Sequence, residues 1–172
     1  MRRLVSILAA GVLAAGTVVT TVGASSAGAT PVHRLNCSPG GSDFMNVTVR
    51  GVNYFVGTPN NTVSGATVRL KPSTNRTTLW AFCEFADNSW LVTNQGLAMT
   101  SRSTSPGENV TVETAGNSGN GFASQHWFIN PAGSGAVLSN LKTGMFLRIR
   151  NTGPIMGQSL TTGSAPTVWI FS

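Results

Sequence analysis

Gln125, His126 and Trp127, in the stretch "SQHWFI", set an amide, an imidazole and an indole side by side. That set suits two different tasks. Polar groups beside an aromatic platform can hold a sugar, and the same residues can form one buried strand around a structural tryptophan. Catalysis would ask for more: a nucleophile with its base, a carboxylate pair or a metal cluster. The acids are Asp43, Glu84, Asp87, Glu108 and Glu113, and they form no recognisable pair. Glu108 and Glu113, five residues apart, read as a solvated sheet edge rather than the acid and nucleophile of a glycosidase. His33 and His126 are isolated in sequence, and no Gly-x-Ser-x-Gly elbow occurs. No catalytic residue, metal site or cofactor is expected. Tyr54, Phe55, Trp90 and Phe122 are aromatics that could stack on a sugar face, with core packing as their default role.

The N-terminus dictates where such a chain works. "MRR", an apolar run and "ASSAGA" have the three parts of a secretory signal, and Ala27, Gly28 and Ala29 supply the small residues for cleavage after Ala29. An uncleaved membrane anchor is the rival reading, but the run is rich in Gly, Ala and Thr and only weakly hydrophobic. The expectation is a secreted, extracellular, soluble chain of about 143 residues, made of an N-terminal segment 30–42 and one domain 43–172. It carries nine Lys and Arg against five Asp and Glu, a net charge of about +4. The cations are scattered without aromatic interleaving, which argues against a nucleic-acid groove. Only Cys37 and Cys83 are present, and in an oxidising compartment they are expected to bridge, a link of about 4 kcal/mol by chain entropy.

The elements that must position these residues are strands. "MNVTVR", "ATVRLK", "NVTVET" and "LRIR" alternate with period two, and Gly, Pro, Asn and Ser mark the turns between them. Twelve strands are expected, near 45–50, 53–57, 66–71, 78–84, 89–93, 97–100, 109–114, 125–129, 136–139, 145–150, 156–161 and 167–171. They divide into three sets of four, about 43–86, 87–131 and 132–172, each ending in a tryptophan strand at Trp80, Trp127 or Trp169, spaced by 47 and 42 residues. The second set is lengthened by "GNSGNG". Three blades are too few for a propeller, so an all-β threefold barrel capped by hairpins, a β-trefoil, is expected, with a β-sandwich as the alternative.

With its three tryptophan strands the chain resembles the ricin-type (QxW) β-trefoil lectins, over about residues 43–172. Gln125, His126 and Trp127 match the Gln-x-Trp motif in full, whereas Thr78 and Thr167 replace Gln before Trp80 and Trp169. The resemblance implies that Trp80, Gln125, Trp127 and Trp169 are structural. His126, between two inward residues on a strand, is then expected at the surface or rim. In that family an Asp early in each repeat holds the sugar, and aligning the repeats by their tryptophans puts Phe55, Ala98 and Arg148 at that place. None is acidic, so no carbohydrate-binding residue is transferred. The resemblance implies a non-catalytic carbohydrate-binding protein; with no acid at those places, weak contacts repeated over an extended polysaccharide are expected, from a monomer. The alternatives are a protein-binding trefoil such as a secreted protease inhibitor, or a scaffold without a site.

Overall fold

A computed structural model describes residues 36–116, 120–150 and 155–172, with side chains from residue 42 onward except at 120–122. The signal sequence, His33 and part of the "GNSGNG" insertion lie outside the described residues. Thirteen strands follow in order: β1 (Asn36–Val49), β2 (Val52–Gly57), β3 (Ala66–Thr67), β4 (Arg69–Lys71), β5 (Leu79–Glu84), β6 (Trp90–Asn94), β7 (Leu97–Thr100), β8 (Thr111–Thr114), β9 (His126–Ala132), β10 (Gly135–Asn140), β11 (Phe146–Ile149), β12 (Leu160–Gly163) and β13 (Ile170–Phe171). One short helix, α1 (Asn120–Gln125), precedes β9. Strands form in all twelve expected regions, but the eleventh, expected at 156–161, runs over Leu160–Gly163 because a turn at Met156 and Gly157, with Gly157 at φ 75°, takes its first half. The third is divided at Val68, and Gln125, expected to open a strand, ends the helix instead.

Six strands close a ring. β1 pairs β5, β5 pairs β6, β6 pairs β9, β9 pairs β10, and β13 returns to β1. A bridge between Ala136 and Trp169 joins β10 to the start of β13 and completes the barrel. Closure removes the open edges that a sandwich would leave. Six of the remaining seven strands form three hairpins, β2 with β4, β7 with β8, and β11 with β12, which cap one end, and β3 pairs β8 across repeats. Two of the turns leading into them are alike: Arg50 and Gly51 have φ of 51° and 77°, Gln95 and Gly96 have 51° and 79°. Positive φ at both central residues is the type I′ geometry that matches strand twist.

At the cap the three repeats meet around one axis. Val68 N–H donates to the Val110 carbonyl, Val110 N–H to Leu160 and Leu160 N–H to Val68, each at 2.9 Å. This closed triangle is why Val68 leaves the regular ladder and splits the expected strand. A second ring surrounds it: Gly65 donates to Val112, Gly107 to Thr162 and Gly157 to Leu70, at 2.8, 2.8 and 2.9 Å. All three glycines have φ between 75° and 90°, so the backbone can turn back toward the axis.

The core is a stack of equivalent triplets. Met45, Val92 and Leu138 come from the first strand of each repeat, Val56, Met99 and Leu147 from the second, and Val68, Val110 and Leu160 from the third; all are fully buried. Trp80, Trp127 and Trp169 fill the space between them, also fully buried. Each indole Nε1 donates to a carbonyl of its own repeat's second strand: Val56 at 2.8 Å, Met99 at 2.9 Å and Leu147 at 3.4 Å. A buried indole N–H needs such a partner, which fixes the ring's orientation as well as its place.

Two outcomes test this account by urea unfolding. Trp127→Ala should cost roughly 3–5 kcal/mol through its cavity, and Trp127→Phe about 1–3 kcal/mol because the Met99 carbonyl is left unpaired. Gly107→Ala should cost about 1–2 kcal/mol from backbone strain alone, since no atom lies within 4 Å of the added Cβ.

Candidate binding site at the barrel mouth

The ladders set one residue of each first strand directly opposite its repeat's tryptophan: Asp43 opposite Trp80, Trp90 opposite Trp127, and Ala136 opposite Trp169. These three positions are equivalent, and they lie at the end of the barrel away from the cap. Two residues beyond each tryptophan stand Phe82, Ile129 and Phe171. Both triplets line a single cleft of about 380 Å³, with Pro131 and Ser134 of the β9–β10 hairpin on its rim. The cleft is within the size range of small-ligand pockets.

Symmetry fails at this level, and the failure gives the cleft its chemistry. Asp43 is exposed, Trp90 half-buried and Ala136 small, so one side offers a carboxylate and an indole and the other offers room. Phe82 and Phe171 meet edge to face, with centroids 5.5 Å apart at 73°, and make an aromatic wall. Among the described residues Asp43 has no side-chain hydrogen bond or ion pair. Such a carboxylate can accept two bonds from neighbouring hydroxyls while an apolar face rests on aromatic carbon.

Other expected residues fall differently. Gln125 is buried and structural: its Nε2 donates to the Thr114 carbonyl at 2.9 Å, and its Oε1 accepts from Gly116 N–H at 2.7 Å. Where Thr replaces Gln the bracing is shorter. Thr78 exchanges bonds with Asn75, and the Thr167 hydroxyl accepts from Ile149 N–H at 3.3 Å.

His126 corrects the expectation of a surface or rim position, because it is fully buried. The alternation argument presumes one solvated face, but here that face is covered by a second apolar cluster of Cys83, Phe85, Leu91 and Ala98. Its ring stacks on Phe85 at 4.0 Å, and its Nδ1 lies 2.7 Å from the Ser89 hydroxyl, which donates to Asp87 at 2.6 Å. The serine therefore sits between acid and histidine and is itself buried, the reverse of a hydrolase arrangement in which histidine is central and serine meets substrate.

The repeat alignment also shifts. The carbonyls that receive the tryptophans show Phe146, not Arg148, as the partner of Phe55 and Ala98; the third hairpin differs in length, so counting from Trp169 overshoots by two. Phe146 is not acidic either. Phe55 packs edge to face on Phe44, Ala98 is fully buried and Tyr54 packs against the main core. The Phe122 side chain lies outside the described residues. Glu113 binds Arg102, whose hydrogen bond holds its carboxyl below the usual range despite partial burial, so it is committed to an ion pair.

Of the described aromatics singled out from sequence, Trp90 lines the mouth and Tyr54 and Phe55 do not. Asp43, Phe82 and Phe171 were missed. The signal was present in the aligned repeats: the residue two places after each tryptophan is apolar, and nothing in a linear reading separates a rim aromatic from a core one.

No protein-family model and no curated protein matches the chain in sequence. Solved structures match it in fold. The designed threefold-symmetric protein ThreeFoil superposes with a TM-score of 0.66 at 20% identity, over 76% of this chain and 96% of its own. The agglutinin from Abrus precatorius gives 0.57 at 17% identity, over 78% of this chain and 50% of that one. The Polyporus squamosus lectin gives 0.58 at 16%, over 76% and 48%. This chain thus spans about half the length of those two natural proteins. At such identities the shared property is the backbone plan, and by that plan the chain is a β-trefoil.

Proposed function

We propose that this chain is an exported, non-catalytic carbohydrate-binding protein, that it holds extended polysaccharide weakly, and that the barrel mouth is its site. The observation that carries the reading is the juxtaposition of Asp43 and Trp90 above the Phe82–Phe171 wall in one open cleft. The fold adds support, since it is shared with an agglutinin and with a lectin described in complex with the epitope Neu5Aca2-6Galb1-4GlcNAc. One carboxylate and one partly exposed indole give a small contact. Affinity for a single sugar is then low, and further residues of a chain add contacts over Pro131 and Ser134. A neutral ligand held this way is little affected by salt.

The export reading includes cleavage after Ala29 and a Cys37–Cys83 bridge. Support comes from the register: the two residues are direct partners of β1 and β5 and Cys83 is buried. Cross-strand partners in an antiparallel pair have Cα separations that a disulfide spans. Only the Cys37 backbone is among the described atoms. Mass spectrometry of protein recovered from the medium should find Thr30 as the first residue and, in unreduced digests, linked Cys37 and Cys83 peptides; two free thiols would overturn the bridge.

Pull-down on insoluble polysaccharides, followed by titration with neutral oligosaccharides of rising length, tests the function. Binding should strengthen with length and persist in moderate salt. Trp90→Ala should weaken it roughly tenfold, equivalent to about 1.4 kcal/mol, measured where circular dichroism shows the variant folded because Trp90 also packs against the core; Asp43→Asn should weaken it less, because the amide keeps one acceptor. Micromolar capture of free galactose would contradict the extended-polymer reading. Failure on every polysaccharide together with inhibition of a protease would replace it with a protein-binding function.

A further inference from the structure

A second cleft, of about 290 Å³, lies at the cap between the first repeat's hairpin and the turn at Met156 and Gly157. It is lined by Asn60, Arg69, Lys71, Ser73, Asn75 and Met156, among others, and by no carboxylate. Arg69 and Lys71 alternate with buried Leu70 on β4 and so share one face of the strand. All five acidic side chains of the protein are among the described residues, and the ion pair formed among those residues is Arg102 with Glu113. Neither cation in this cleft is neutralised by the protein.

Lys71 is not a loose surface lysine. Its Nζ donates to Thr77 Oγ1 at 2.8 Å and to Asn60 Oδ1 at 3.2 Å. The Thr77 hydroxyl in turn donates to Asn75 Oδ1 at 2.6 Å, and Thr77 N–H reaches the same oxygen at 2.8 Å. The aliphatic stem runs beside Gly57, where an added Cβ would come within 3.1 Å of Lys71 Cδ and 2.7 Å of Thr78 Cγ2. An ammonium has three donors, and two are used. Burial also holds this ammonium below its usual pKa range, a sign that its surroundings hydrate it incompletely. The ammonium is therefore pre-positioned by two hydrogen bonds, with one donor left over and less of the ordering cost that a mobile lysine pays on binding. Beside it, the exposed Arg69 guanidinium can grip two oxygens of one group. Met156, 64% exposed, stands on the opposite wall as apolar surface.

We infer that the Arg69–Lys71 cleft is a second binding site and takes an oxyanion carried on a glycan, a sulfate ester or a sugar carboxylate, through Lys71 Nζ and the Arg69 guanidinium. The inference rests on the carbohydrate-binding reading but not on the barrel mouth. A uronate presents two coplanar oxygens and a sulfate ester three pyramidal ones; either can accept from both of these donors, and the polymer used separates them.

The exported protein would be titrated with dextran sulfate, polygalacturonate and neutral dextran of matched length, and sedimented with phosphatidylserine vesicles. At least one anionic polymer should bind about tenfold more tightly than dextran, as expected for charge-assisted hydrogen bonds, and the difference should shrink as salt rises. Retention by dextran sulfate alone assigns a sulfate ester; retention by polygalacturonate alone assigns a carboxylate. Arg69→Gln, at an exposed side chain, and Lys71→Gln should each remove most of the preference, while Lys142→Gln should leave it. If Arg69→Gln lowers binding no more than Lys142→Gln does, the preference is bulk charge and the site is overturned. Loss of neutral binding in Trp90→Ala with the anionic preference intact separates the two sites, and absence of neutral binding with a retained Arg69-dependent preference removes the mouth alone. Arg69-dependent binding to vesicles without binding to either polymer would overturn the glycan assignment in favour of a membrane surface.

Discussion

Three backbone hydrogen bonds around one axis, Val68 to Val110 to Leu160 and back to Val68, impose the order that the rest of the fold follows. A closed triangle of this kind needs three chain segments to arrive at the same depth and angle. Each therefore comes from the same position of a repeat, after a glycine with positive φ three residues earlier. The net value of each bond is only about 0.5–1.5 kcal/mol. Their control over the fold comes from burial, because any one left unmade would strand a donor and an acceptor away from water. Satisfying all of them together requires the threefold arrangement, and the triplets beneath, from Val56, Met99 and Leu147 to the tryptophans, inherit their equivalence from it.

Equivalence is kept where side chains must fill space and lost where they meet solvent. The buried triplets are all apolar except at the layer of Leu70, Val112 and Thr162. At the mouth the equivalent positions are Asp43, Trp90 and Ala136, three unlike residues, and only their difference makes a cleft with a charged side, an aromatic side and an opening. The cap cleft likewise belongs to one repeat, because the third-strand positions of Arg69 and Lys71 are taken by Thr111 and Glu113 in the second repeat, where Glu113 is bound to Arg102. Binding chemistry on this scaffold is thus read from departures from symmetry, and a motif search that looks for a residue repeated three times passes over it.

What the sequence displayed depended on how local the physics was. Strands such as "MNVTVR" were legible because one face meets core and the other water, and the three tryptophans because no smaller residue fills their place. His126 was misplaced because a neighbouring cluster, distant in sequence, covers the face that alternation assigns to solvent. Arg148 was aligned in place of Phe146 because a count along the chain cannot know which loop absorbed the length difference. The glycines at 65, 107 and 157, each three residues before an apolar residue of the axis, formed a recurrent signal that was open to view, but turn glycines are so common here that their spacing carried no weight alone. The Arg69–Lys71 cleft was not legible at all. In sequence these are two of several scattered cations, and their character comes from Asn60, Asn75 and Thr77, which the fold brings to Lys71.

The two clefts differ in how they can bind, and the difference follows from the scaffold's rigidity. A closed barrel pinned by an axial triangle fixes its strands, so the strand residues that line both clefts keep the places that folding gives them. If the mouth holds a sugar as proposed, it relies on contact with surface already exposed, which would keep a single sugar weakly held and make length the means of strengthening it. Lys71 evades that limit in another way: part of its ordering cost is met during folding, by Thr77, Asn60 and the space left at Gly57, so the charge it presents is available with less rearrangement. The clefts also open at opposite ends, the mouth away from the cap and the other on it. On the proposed reading a short glycan would not reach both at once, so the two would act as separate contacts, and their combination would favour a ligand long enough to pass around the barrel or two strands of polymer held by one chain.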